Sequence, residues 1–187
     1  MQAALRALAY MRGTVDAGIT YCDPGSDRRD VLYGWVDSDF AADPDSRRSI
    51  RGYLMALNCG PISWKSCRQG GVTISSSEAE FVAASHAAQD NICLRSLGIP
   101  QTKHTELWED NAACILMSKN PVACDRQRHV DVKFHFLRER VRLGVLRLLK
   151  CHVPHNVADT FTKSLPRPAF HQHREKMWGT REHGSAG

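Results

Sequence analysis

An α/β domain built on a mixed sheet is the fold class this sequence predicts, and three observations lead there. Three short β-prone segments follow one another between residues 31 and 68, separated by polar or glycine-rich turns, the pattern of an antiparallel meander. Beyond residue 77 the apolar spacing lengthens to three or four, and helices then alternate with strands. The chain of 187 residues has room for one full domain with appendages, and not for two. The order β-β-β-α-β-α-α-β-α gives a sheet of mixed direction with helices packed on it.

The opening "MQAALRALAYMR" places Leu5, Leu8 and Met11 at helical spacing, and Gly13 stops the run. A short apolar "GITY" and the turn-rich "CDPGSDRRD" come next, so residues 1–28 read as an appendage and linker before the main body at 29–179. "VLYGWVDSDF", "SIRGYLMALN" and "GPISWKSCR" are the meander strands; their Trp35 and Trp64, with Trp108 further on, read as core. "GVTISSS" leads into one long amphipathic helix over residues 77–97, carrying Phe81, Ala84, Ala88 and Ile92. "TELWEDN" is a strand and "AACILMSK" a short helix ended by Asn120-Pro121. "DVKFHFLRERVRLG" is a basic helix closed by Gly144, and "VLRLLKCHV" is the last strand. "NVADTFTKSL" opens a terminal helix that stops near Pro166, with Asn156 as N-cap and Asp159 at N3. The tail 180–187 reads as disordered.

Composition narrows the function classes. Hydrophobic content of 42% with 24% charged residues fits a soluble globular protein. No apolar run approaches the roughly 18 residues of a membrane span, and the N-terminus lacks a signal-peptide layout. Seven cysteines form no CxxC pair, which fits reduced thiols in an intracellular protein better than a disulfide frame. A net charge of +5 permits a polyanionic partner without demanding one.

Four acids share one feature. Asp37 ends the first strand, Glu80 lies in the first turns of the long helix, Asp110 ends the fourth strand, and Asp159 starts the last helix. Strand ends and helix starts are where open α/β sheets assemble their sites. Carboxylates gathered there repel unless divalent cations bind between them, and such oxygen ligands suit Mg²⁺ or Mn²⁺ rather than zinc. Two such ions about 4 Å apart can activate water and stabilise the leaving oxygen of a phosphodiester. Taken singly, each acid reads first as a turn or cap residue. Glu78 and Glu80 differ by about 200° on a helix, so only one of them faces the sheet.

The motifs "VDSDFAADPDSRRSIRGYL", "GPISWKS", "SSSEAEFVAAS", "EDNAACILMSKNPV", "RHVDVKFHFLRE" and "VADTFTKSLP" resemble the ribonuclease H domain of copia-type retrotransposon polyproteins, in family order from about residue 31 to 179. The opening "ALRALAYMRGTVDAGITY" resembles the end of the reverse transcriptase region that precedes it. The resemblance implies a ribonuclease H-like fold, with a five-stranded mixed sheet of order 3-2-1-4-5 flanked by helices. It implies metal-dependent cleavage of the RNA strand of an RNA/DNA hybrid by two Mg²⁺ ions, with Mn²⁺ as a substitute. The metal ligands it assigns are Asp37, Glu80, Asp110 and Asp159. "EFVAA" matches the helix glutamate, so Glu80 faces the site and Glu78 faces solvent. Asp39, on the same strand face as Asp37, is a supporting candidate. The partners implied are the hybrid and the reverse transcriptase domain of the same polyprotein, in the cytoplasm, within virus-like particles, or in the nucleus.

One departure stands out. The loop "CHVPHNVAD" is about two residues shorter than the family pattern, so His152 and His155 cannot be equated with the product-release histidine of the cellular enzymes; loop histidines without a metal are the expectation. For substrate grip, Arg126, Arg128, Lys133, Arg138, Arg140 and Arg142, continued by Arg147 and Lys150, form a basic stripe suited to a sugar–phosphate backbone. A solvated helix face reads the same way. Ser76 and Ser77, at the helix start, are candidates for sugar or phosphate contacts. Against an active ribonuclease H stands an inactive module of the same fold that only binds nucleic acid or tethers domains; a related integrase-type nuclease needs a different placement of the helix glutamate.

Overall fold

Strands β1 (Leu32–Asp39), β2 (Ile50–Leu57) and β3 (Gly60–Arg68) form the expected meander. In this computed structural model, residues 1–21, 30–98, 101–119 and 128–178 are described, with residues 128–131 as backbone alone. β1 pairs antiparallel with β2 from Leu32↔Leu57 to Asp39↔Ile50, and β2 pairs antiparallel with β3. β4 (Thr105–Glu109) joins the other side of β1 in parallel, and β5 (Leu146–Lys150) joins β4 in parallel. Parallel neighbours need crossovers. α2 (Ser76–Arg95) supplies the first, and α3 (Ala112–Lys119) with α4 (Arg128–Arg142) the second. The sheet order is β3-β2-β1-β4-β5, the order the motif resemblance implies.

The core lies between the sheet and α2. Phe81, Ala84 and Ala88 are buried as the periodicity predicts, but Ala79, Ala83 and Ala87 form a second buried row. Small side chains let α2 lie close on β1 and β2 while α4 covers its flank. Its apolar stripe is therefore broader than an amphipathic surface helix requires. Phe81 stacks on Phe134 of α4 with ring centroids 4.0 Å apart, above Val36, Leu107 and Leu148. Full burial of such a ring contributes about 1.5–3 kcal/mol.

The opposite face is more lightly covered. Trp35 and Trp108 are half-buried and pack on each other at 5.2 Å, whereas Trp64, on the edge strand β3, is 56% exposed and is not core. α1 (Gln2–Arg12) has no buried residue, and Leu5, Leu8 and Met11 are exposed. The segment after α1 nevertheless docks. The Tyr21 hydroxyl donates to the Pro61 carbonyl, and its ring lies over Gly60, where an added Cβ would stand 2.7 Å from it. Tyr10 meets Phe170 edge-on at 5.8 Å.

Two expectations need correction. Residues 157–165 are not an α-helix: Val157–Phe161 is a 3-10 turn, and the terminal helix, α5 (Arg167–Trp178), begins after Pro166 instead of stopping there. Proline fits the first turn of a helix, where its missing N–H has no partner to lose. Among the cysteines, Cys67, Cys93, Cys114 and Cys151 are free as expected, but Cys59 is disulfide-bonded. The linker at 22–29, the Asn120-Pro121 break and the tail at 180–187 lie outside the described residues. No helix among the described residues is long and apolar enough to cross a membrane.

Candidate metal centre

Parallel pairing of β1 with β4 sets Trp35 opposite Trp108, and two residues further along stand Asp37, within β1, and Asp110, just past the end of β4. Glu80, in the second turn of α2, points down toward them. One carboxylate oxygen each from Asp37, Glu80 and Asp110 lies within 4.8 Å of the others, with Asp37 and Glu80 buried. Glu78 is occupied elsewhere. Ser75 is the N-cap of α2, accepting from the Glu78 N–H at 3.1 Å, and the Glu78 carboxylate accepts from the Ile74 N–H at 2.8 Å. That is the reciprocal logic of a capping box.

Asp159 arrives on the 3-10 turn. Asn156 is fully buried; its side-chain N–H donates to the Val36 carbonyl at 2.9 Å and its Oδ1 accepts from the Ala158 N–H at 3.2 Å. It is the N-cap the sequence predicts, and it ties the turn to β1. Gly52, opposite Asp37 in the sheet register, makes room: an added Cβ would stand 2.7 Å from Phe161 Cβ and 2.8 Å from Thr162 Cγ2. The short loop thus delivers Asp159 beside Asp37. Lys163 bridges the two, with Nζ 3.0 Å from Asp37 Oδ1 and 2.9 Å from Asp159 Oδ1. The Thr162 hydroxyl also donates to Asp37 Oδ2.

Sequence reasoning passed over Lys163, Thr162 and Glu109. Lys163 stands four residues after Asp159, a spacing that pairs opposite charges within a helical turn. Glu109 is fully buried on the α2 side of the sheet, its Oε1 accepting from the Asn111 N–H at 2.9 Å. No local pattern marks it apart from its position next to Asp110.

Crowding of acids shows in their proton affinities. Burial first, then Glu109, Asp37 and Asp110, pushes the Glu80 carboxyl far above the usual range. Glu109 is likewise raised, chiefly by burial. Burial and then Asp37 push Asp159 up to about 6, and the same two causes raise Asp110. Burial lifts the half-buried Asp39 as well, with Lys163 opposing and Asp37 adding. For Lys163 burial works against the charge, yet Asp37 and Asp159 outweigh it and hold the ammonium above the ordinary lysine range. Glu80 Oε2 and Glu109 Oε2 are buried with no hydrogen-bond partner among the described residues. An all-oxygen donor set with an unpartnered buried carboxylate oxygen fits a hard divalent cation.

The substrate-grip candidates fare unevenly. Arg138 donates from Nε to the Met117 carbonyl at 2.9 Å and lies over the Phe134 ring, which ties α4 to α3. Arg140 pairs with Glu139 at 2.8 Å, and Lys133 is half-buried. Arg142 is exposed, as is Ser76, whereas Ser77 is half-buried. Arg126 and the Arg128 side chain lie outside the described residues. His152 and His155 are exposed, with His155 Nδ1 3.4 Å from Lys176 Nζ.

Comparison with known proteins bears on this arrangement. No protein-family model matches the chain. The retrovirus-related Pol polyprotein from transposon RE1 of Arabidopsis thaliana is 37% identical over 185 residues, 97% of this chain and 12% of that polyprotein. The Pol polyprotein from transposon TNT 1-94 of Nicotiana tabacum is 38% identical over 167 residues, 87% of this chain and 12% of its own length. The chain's homologues are copia-type Pol polyproteins of plant transposons. It spans about an eighth of the length of these curated relatives. Among solved structures, an RNase H1 isolated from compost by a metagenomic approach superposes with a TM-score of 0.53 at 18% identity, over 71% of this chain and 93% of its own. The same enzyme in complex with an RNA/DNA hybrid gives 0.51 at 15% identity, over 70% and 93%. The RNase H domain of rv2228c from Mycobacterium tuberculosis gives 0.51 at 10% identity, over 70% and 95%. The fold of this chain is therefore that of ribonuclease H.

Proposed function

We propose that this Pol segment is a metal-dependent ribonuclease H that hydrolyses the RNA strand of RNA/DNA hybrids. The observation that carries the proposal is the convergence of Asp37, Glu80 and Asp110 within 4.8 Å, with Asp159 joined to Asp37 through Lys163. Asp37, Glu80, Asp110 and Asp159 would hold two Mg²⁺ ions, with Mn²⁺ as a substitute. Bound there, such ions supply an activated water and charge stabilisation for the leaving oxygen of a phosphodiester. The protein's own part is to fix the ligands. Asn156 anchors the turn that carries Asp159, and burial of Asp37 and Glu80 removes water that would compete for them. Ser76 and Arg142, both exposed, would meet sugar and phosphate from the hybrid, whose shape and 2′-OH groups, rather than base sequence, would be recognised. The partner in the longer polyprotein would be its reverse transcriptase region.

Cleavage of a labelled RNA/DNA hybrid with Mg²⁺ or Mn²⁺ tests this, with Asp110→Asn as the control. Asparagine keeps the size of the side chain and loses the charge that holds the ions, so cleavage is expected to vanish while the fold stays intact. Relief of carboxylate repulsion should keep the metal-free melting temperature at or above the parent's. Hybrid binding without cleavage by the parent protein would make the segment an inactive binding module instead.

A further inference from the structure

The acid cluster is compensated on one side only. Toward Asp159, the Lys163 ammonium touches Asp37 Oδ1 and Asp159 Oδ1, and the Thr162 hydroxyl meets Asp37 Oδ2, so both Asp37 oxygens have partners without any metal. Toward α2, Glu80 Oε2 has no partner among the described residues. A cation held by both Asp37 and Asp159 would compete with Lys163 for their carboxylates, of which the ammonium already holds Asp37 Oδ1 and Asp159 Oδ1. Ammonium and ion cannot hold those oxygens together. Lys163 has a way out, since its side chain is 34% exposed on a flexible four-carbon stem.

We infer that Lys163 is a resident counter-ion that closes the Asp37–Asp159 side of the centre, so that an ion enters first among Asp37, Glu80 and Asp110, and a second binds only as Lys163 swings out to solvent. Lys163 is thus a positioning residue: it keeps the metal-free site ordered and sets the weaker of two unequal metal affinities. The inference rests on the metal-dependent function proposed above.

Thermal unfolding over a Mg²⁺ titration, together with amine labelling read by mass spectrometry, tests it on the whole chain. Lys163→Met should melt below the parent in EDTA, and the Mg²⁺ concentration giving half-maximal stabilisation should fall by about tenfold, as expected when a neighbouring like charge is removed from the ion's site. Lys163→Arg, which keeps the charge, should keep a parent-like midpoint. In the parent, Lys163 should be protected from labelling in EDTA relative to the exposed Lys65, and become labelled as Mg²⁺ is added. Should Lys163→Met not fold, the parent's labelling decides alone. Mg²⁺ that stabilises the parent but not Asp110→Asn, with Lys163 labelling unchanged, overturns the inference and leaves the metal-dependent function standing. Mg²⁺ that stabilises neither protein, or both equally, brings down the two together.

Discussion

Glu78 and Glu80 stand two residues apart and do unlike work, because 200° of helix separates them. Glu78→Ala should cost about 1 kcal/mol in chemical denaturation, the usual worth of a helix cap, and keep most cleavage activity. Glu80→Gln should fold and lose cleavage by at least about a hundredfold, the order seen when one electrostatic stabiliser of a reacting centre is removed, since the amide lacks the charge that would hold the ions. Equal losses of activity in the two variants would refute the division of labour. At this scale the sequence was informative where chemistry and position coincide. The four acids stood out because each ended a strand or began a helix, whereas the Ser75–Glu78 cap emerged only in the fold. Glu109 was illegible: in sequence it is one more acid beside Asp110, and its full burial arises only in the assembled fold. Lys163 was half-legible, through its spacing from Asp159, but Asp37 as its second partner is 126 residues distant.

Among the elements, the 3-10 turn at Val157–Phe161 decides whether the site is complete, and Gly52 decides whether the turn can sit. Gly52→Ala puts a methyl group against Phe161 Cβ and Thr162 Cγ2, neither of which is the far end of a flexible chain. The turn must move, so this variant should lose cleavage and melt lower, while sheet pairing persists in circular dichroism. Full activity would show that Asp159 needs no such close seat. Reading this region as helix failed because "NVADTFTKSL" carries a sound N-cap but mostly weak helix formers after it. Pro166, which reads as a stop, introduces α5. The basic helix α4 divides in a way its sequence does not reveal. Arg138→Ala should lower the melting temperature, since Arg138 joins α4 to α3. Arg142→Ala should leave stability alone and lower the slope of log hybrid affinity against log salt by about 0.7–0.9, one phosphate contact. A slope unchanged by Arg142→Ala would make α4 a solvated face.

At the scale of the whole molecule, mixed sheet and meander followed from periodicity, but strand order did not, because local pattern says nothing about which strand edges meet. The motif resemblance supplied that order. The docking of Tyr21 on Gly60 and of Tyr10 on Phe170 was equally hidden, being contact between segments far apart in the chain. What the assembled fold creates, and no single element contains, is a set of carboxylates whose proton affinity is raised together. Asp159 is up to about 6 from 3.8, with Asp110, Glu80 and Glu109 also raised. Between pH 3.8 and about 6 the native state therefore binds more protons than the unfolded chain, and the contribution of Asp159 to stability falls as pH rises through that window. A divalent ion bound among these acids, as proposed, would take the place of those protons, so proton and metal would compete. The rise in melting temperature on adding Mg²⁺ should be small at pH 5, grow as pH passes about 6, and be largest near pH 8. The same series on Asp110→Asn should be nearly flat. A Mg²⁺ effect independent of pH would mean that the ion binds somewhere other than these acids, because only groups that are protonated in the native state can make its binding release protons.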